Sequence, residues 1–96
     1  MTYERFCKNK NIIYEEYDDS CIIWNSQKGE YHILNKSAMQ IFVLCDQCTK
    51  EDVILKMYNL YKEELAIHDL SNDVETVIND LINKDLVCTE IYNQPN

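Results

Sequence analysis

Apolar and polar positions alternate early in the chain and then change period. Ile12, Ile13 and Tyr14 open an apolar stretch, and Ile12–Tyr17 reads as a strand. Asp18-Asp19-Ser20 has turn chemistry. Cys21-Ile22-Ile23-Trp24 is rich in β-branched and aromatic side chains and predicts a second strand. Ser26-Gln27-Lys28-Gly29 reads as a hairpin turn, with Gly29 supplying a positive φ. Glu30–Leu34 is the third predicted strand, with Tyr31 and Ile33 on one face and His32 and Leu34 on the other. Connections this short make the three strands an antiparallel meander.

From there the spacing is helical. Ala38, Ile41, Phe42 and Cys45 form one stripe, with Asn35 or Ser37 as its N-cap. Thr49 caps a second helix, and Asp52 suits the positive end of its dipole. The stripe of that helix is Val53, Met57, Leu60 and Tyr61. Ser71 is the expected cap of a third helix, whose stripe is Val74, Val77, Ile78, Leu81 and Ile82. Lys84 falls near its C-terminus, where a cation is favoured. Leu86, Val87 and Ile91 suggest a short terminal strand. Residues 1–11 are polar and expected to fray, with Tyr3 and Phe6 able to dock. Residues 92–96 read as a loose tail, leaving 12–91 as the folded domain. The expected fold class is α+β: a three-stranded antiparallel N-terminal sheet followed by three helices, arranged as a winged helix-turn-helix.

Composition narrows the function classes. A chain of 96 residues is naturally one domain, and 46% hydrophobic residues suffice for a packed core. Nine Lys and Arg against 17 Asp and Glu give a net charge of -8, which opposes unaided binding to nucleic acid or an anionic membrane. The single Gly29 excludes a P-loop and a dinucleotide-binding fingerprint, because both need several glycines near phosphate. The longest apolar run is Ile41–Cys45, too short to span a bilayer, and the polar start is no signal peptide. Five cysteines without an export signal point to a reducing cytoplasm.

Little in the sequence carries catalytic chemistry. Ser37 and Ser71 fit cap positions, and no serine sits in a nucleophile elbow. His32 lies on a predicted strand, and His68 in the loop expected before the third helix. Glu15-Glu16, Asp18-Asp19 and Glu63-Glu64 read as solvated pairs rather than acid–base dyads. Cys45-x-x-Cys48 is the one close cysteine pair, but Cys45 closes a helical stripe, whereas a redox pair opens a helix. A metal would need further ligands from Cys7, Cys21, Cys88, His32 or His68, none of which forms a second close pair. No catalytic residue, metal or cofactor is therefore expected. The helical arrangement invites a DNA-binding reading, and a winged-helix transcription regulator is the alternative function. Asp73, Glu75 and Asp80 on the third helix would face the phosphates, however. Peptide or protein binding remains: the edge of Glu30–Leu34 can accept an extended strand, and the third helix can wall a groove.

Gly29-Glu30-Tyr31-His32-Ile33-Leu34-Asn35-Lys36-Ser37-Ala38, followed by Ile41-Phe42, resembles the strand, Leu-Asn, small residue, helix signature of the PqqD-like family. Thr49–Ile54 resembles the opening of that family's second helix, and Asp73-Val74, Leu81 and Asp85-Leu86-Val87 its ending. The resemblance runs from about Ile12 to Val87. Two turns depart from it: Asp46-Gln47 stands where Asp-Gly is usual, and Asp85 where Gly precedes the final Leu-Val. These departures bear on turn geometry rather than fold. The resemblance implies a non-catalytic recognition element that binds the leader segment of a ribosomally synthesised precursor peptide and delivers it to a modifying enzyme. That enzyme would be a radical S-adenosylmethionine maturase, a cyclodehydratase or a lasso-pathway protease. It further implies that Glu30, Tyr31, His32, Ile33 and Leu34 offer the backbone edge. Tyr31, Ile33, Val74, Val77, Ile78 and Leu81 would line the groove, with Asp73 at its mouth.

Overall fold

The computed structural model describes residues 2–63 and 66–93 of the chain. Strand β1 is Thr2–Lys8, β2 Ile12–Glu16, β3 Ser20–Asn25 and β4 Glu30–Asn35. Helices α1 (Lys36–Cys45), α2 (Lys50–Tyr61) and α3 (Ile67–Asn83) follow, and β5 (Val87–Asn93) closes the chain. The strands form two antiparallel sheets, one ordered β2-β3-β4 and the other β1-β5. The three-stranded meander and the three helices match the expectation from periodicity. The second sheet does not, and the fold is α+β with five strands in two sheets.

The stretch expected to fray is strand β1 over Thr2–Lys8. Its hold comes from both sides. Cys7 pairs with Cys88 on β5, and Asn9 N–H donates to Leu86 C=O. On the other edge Phe6 N–H donates to Cys48 C=O at 2.7 Å, and Gln47 N–H donates to Phe6 C=O at 2.8 Å. The Phe6 side chain is buried in the core. Strand β5 accordingly runs through residues 92 and 93, which were expected in the tail. The remaining tail positions, 94–96, lie outside the described residues.

Local capping explains the helix starts. The Asn35 side chain accepts from Ala38 N–H at 3.0 Å and caps α1. Thr49 and Asp52 form a reciprocal capping box at α2. Helix α3 begins at Ile67 rather than after Ser71, with Ala66 at its N-cap and no side-chain cap bond. The extra turn inserts Leu70 into the core, and that burial substitutes for a cap. His68 is therefore an exposed residue of the helix, not of a loop.

The core gathers Ile41, Phe42 and Cys45 of α1, Val53 and Met57 of α2, and Leu70, Val74, Ile78 and Leu81 of α3. Cys21, Ile23 and Leu34 from the inner face of the three-stranded sheet complete it, with Leu86 and Val87. Tyr14 meets Phe42 edge-on, with ring centroids 5.1 Å apart, and Lys8 Nζ lies over both rings. Gln47 (φ 65) and Asp85 (φ 58) hold the left-handed backbone. Both fall at turns where the resemblance leads to an expectation of glycine, and both hold a conformation that glycine adopts most readily. Among the described residues no helix is long and apolar enough to cross a membrane.

Candidate functional site

The site begins with the hydrogen-bond parity of β4. Ser26 N–H donates to Asn11 C=O, and Tyr17 N–H donates to Ser20 C=O. Even-numbered residues of β3 therefore turn their backbone groups toward β2. Its odd-numbered residues turn theirs toward β4, as the Gly29 N–H to Asn25 C=O bond marks. Their partners on β4 are Glu30, His32 and Leu34, so Tyr31 and Ile33 point their N–H and C=O groups away from β3. No strand pairs with that side of β4 among the described residues. The result is a free edge with unpaired donors and acceptors.

Side-chain parity divides the same strand. His32 and Leu34 face inward, and Leu34 is buried. Tyr31 and Ile33 are 70% and 72% exposed on the outer face. There Tyr31 stacks at a tilt on Trp24 (4.5 Å between centroids), and Ile33 lies opposite Ile22. His32 Nε2 is shielded from solvent, and Glu30 Oε2 is 3.3 Å away but misaligned for a hydrogen bond.

At the end of β4 a groove of about 620 Å³ opens between the three helices. Ile41, Met57, Leu70 and Val74 are buried residues that form its apolar floor. Val77 and Tyr61 are half-buried in its walls, and the Tyr61 hydroxyl donates to Gln40 Oε1. Asn35, Ser37, Asp73, Thr76 and Asp80 line it as exposed polar residues. Asp73 and Asp80 are seven residues apart and so share one face of α3, giving the groove a negative rim. Asn35 is both the last residue of β4 and a groove residue, so the free edge ends at the groove.

Of the residues singled out in the sequence, Asp73, Val74 and Val77 come together here. Ile78 and Leu81 are buried in the core. Tyr31 and Ile33, expected to line the groove, instead project from the outer face of the sheet, because strand alternation turns His32 and Leu34 inward, and Glu30–Leu34 contributes only the adjoining backbone edge. Met57, Tyr61, Thr76 and Asp80 were not anticipated as groove residues. Met57 and Tyr61 lie on an apolar stripe that periodicity assigns to core; Met57 is buried beneath the groove and Tyr61 half-buried in its wall. The thiols lie elsewhere. Cys45 is fully buried, and burial pushes its pKa up to about 12, which leaves an unreactive thiol. Cys48 Sγ accepts from Lys56 Nζ at 3.4 Å.

The family model described as coenzyme PQQ synthesis protein D (PqqD) matches residues 20–87, more than half of the chain. Two solved structures are similar. One is TbiB1 in complex with the TbiA(beta) leader peptide, at 18% identity and TM-score 0.75, covering 84% of this chain and 93% of that one. The other is lasso peptide synthetase B1 complexed with the leader peptide, at 22% identity and TM-score 0.73, covering 88% and 98%. At such identities the likeness establishes a shared fold. No protein of curated function matches the chain.

Proposed function

Because the chain belongs to the PqqD family, we propose that it is a non-catalytic protein that binds the leader segment of a ribosomally synthesised precursor peptide. The leader adds as a strand along the free edge of β4, bonding to the backbone of Tyr31 and Ile33. Its side chains alternate. One set turns inward to the groove against α3, and the other lies over Tyr31 and Ile33 on the outer face. The observation that carries this reading is a free strand edge ending at an apolar groove. The similar structures support it, since both were solved with leader peptides. In this reading the fold is a winged helix-turn-helix turned to peptide recognition, with an acidic groove rim unsuited to DNA.

The bound leader raises the effective concentration of its precursor at a modifying enzyme in the cytoplasm. A lasso-pathway protease fits the B1 likeness; a radical S-adenosylmethionine maturase or a cyclodehydratase would use the same presentation. The test is calorimetric titration with synthetic leader segments from short reading frames beside the gene. One-to-one binding is expected. Val77→Asp places a charge in the groove wall and should weaken it by about tenfold or more, with the circular dichroism unchanged. Equal affinity in the variant moves the site out of the groove. Absence of binding to every neighbouring leader, with a shift of duplex DNA instead, overturns the proposal in favour of the transcription-regulator reading.

A further inference from the structure

The terminal sheet carries a feature that leader recognition does not use. Cys7 and Cys88 are direct partners across β1 and β5. Phe6 turns its backbone groups to the Gln47–Cys48 turn, so its neighbour Cys7 exchanges backbone bonds with β5. A hydrogen-bonded antiparallel pair of this kind sets its Cα atoms about 5.5 Å apart, inside the range of about 4.4–6.8 Å that a disulfide spans. The two sulfurs already touch, with Sγ to Sγ 2.9 Å. Cys7 is half-buried and Cys88 exposed, and both line an open cleft of about 560 Å³. Cys21 and Cys45 are buried away from solvent.

We propose that Cys7 and Cys88 are a modification site, closing reversibly into a disulfide by exchange with a small-molecule disulfide and stapling β1 to β5. The first protein thiolate attacks one sulfur of the small disulfide, forming a mixed disulfide and expelling a thiolate that takes up the proton. The second cysteine loses its proton and attacks the protein sulfur of that mixed disulfide. The Cys7–Cys88 bond forms and a second small thiol leaves. Two protein thiols are thereby oxidised and one small disulfide is reduced to two thiols. The closed loop contains nearly the whole fold, which is where a cross-link most restricts the unfolded chain. Cys7 is held protonated, its pKa pushed up to about 11 by desolvation first and by its hydrogen bond to Cys88 next. Exchange should therefore accelerate as pH rises above neutral.

The test equilibrates the full chain with mixtures of oxidised and reduced glutathione, followed by thiol counting and peptide mapping without reductant. The expected result is loss of two thiols, a mass lower by two hydrogens, and a single linked peptide pair holding Cys7 and Cys88. Cys7→Ser and Cys88→Ser should each abolish the link, and Cys48→Ser should keep it. The oxidised wild type should melt above the reduced form, a difference absent in either link-deficient variant. Mapping to another pair, stable glutathione adducts on both cysteines without a link, or no thiol loss in any mixture overturns the proposal. Because mapping on the wild type reads the link directly, it stands even if a serine variant folds poorly.

Discussion

Ile33 separates two roles within one residue. Its side chain lies on the outer face of the sheet, while its N–H points along the free edge of β4. Proline at this position removes a donor that the β3–β4 ladder does not use, and an edge strand tolerates it. Ile33→Pro should therefore leave the thermal midpoint close to that of the wild type and weaken leader binding by about tenfold. His32→Pro is the matching control, because its N–H faces β3. That variant should lose stability first. Paired titration and melting curves check both. The reverse pattern, with Ile33→Pro unfolded and His32→Pro sound, would mean the leader does not use this edge. Alternation in the sequence separates Tyr31 and Ile33 from His32 and Leu34. It does not tell which pair is covered, because that depends on α1 packing beneath the inner face.

At the scale of elements, the turn after α1 tests how side chains meet backbone demands. Gln47 holds φ 65 and donates its N–H to Phe6 C=O, so it ties the end of α1 to β1. A side chain in the left-handed region costs roughly 1–2 kcal/mol, partly offset by the greater freedom glycine has when unfolded. Gln47→Gly should then raise unfolding stability by up to about 1 kcal/mol, measured by urea melts, with the backbone bond kept. A loss of stability instead would show that the exposed Gln47 side chain contributes more than its strain. The same elements explain which parts of the fold were legible. The meander and the α2 capping box are written in local pattern, from Ile12 to Asp52. Strand β1 is not, because in Thr2–Lys8 only Phe6 is buried and the remaining positions alternate weakly. It is held by partners distant in the chain, β5 about 80 residues or more away and the Gln47–Cys48 turn on its other edge. The first turn of α3 was missed for a related reason: Ser71 looks like a cap, while the residue that anchors the helix is Leu70. On α3 the groove lining was legible only in part: Asp73, Val74 and Val77 lie in it, while Ile78 and Leu81, expected beside them, are buried in the core. It was not legible on α2, because Met57 is a buried core residue that also floors the groove, and Tyr61 shares its apolar stripe.

For the molecule as a whole, charge decides what kind of leader fits. The chain carries -8, and the groove's polar rim includes Asp73 and Asp80, with no lysine or arginine lining it among the described residues. A leader with Lys or Arg beside its apolar anchors would be drawn to this rim, and an acidic one repelled. Both aspartates are exposed, so the attraction is screened by salt. The screening length falls from about 10 Å at 0.1 M to about 3 Å at 1 M. For a basic leader, affinity should fall several-fold over that range, chiefly through slower association. Asp73→Asn combined with Asp80→Asn should flatten the dependence while leaving the high-salt affinity nearly unchanged. The apolar floor and the strand bonds should respond little to salt, so the residual affinity at 1 M measures them. Titrations of the wild type and the double variant across that range separate the two contributions. A flat curve for the wild type with a basic leader would assign recognition to the edge and the apolar floor alone, and leave the acidic rim to exclude other partners.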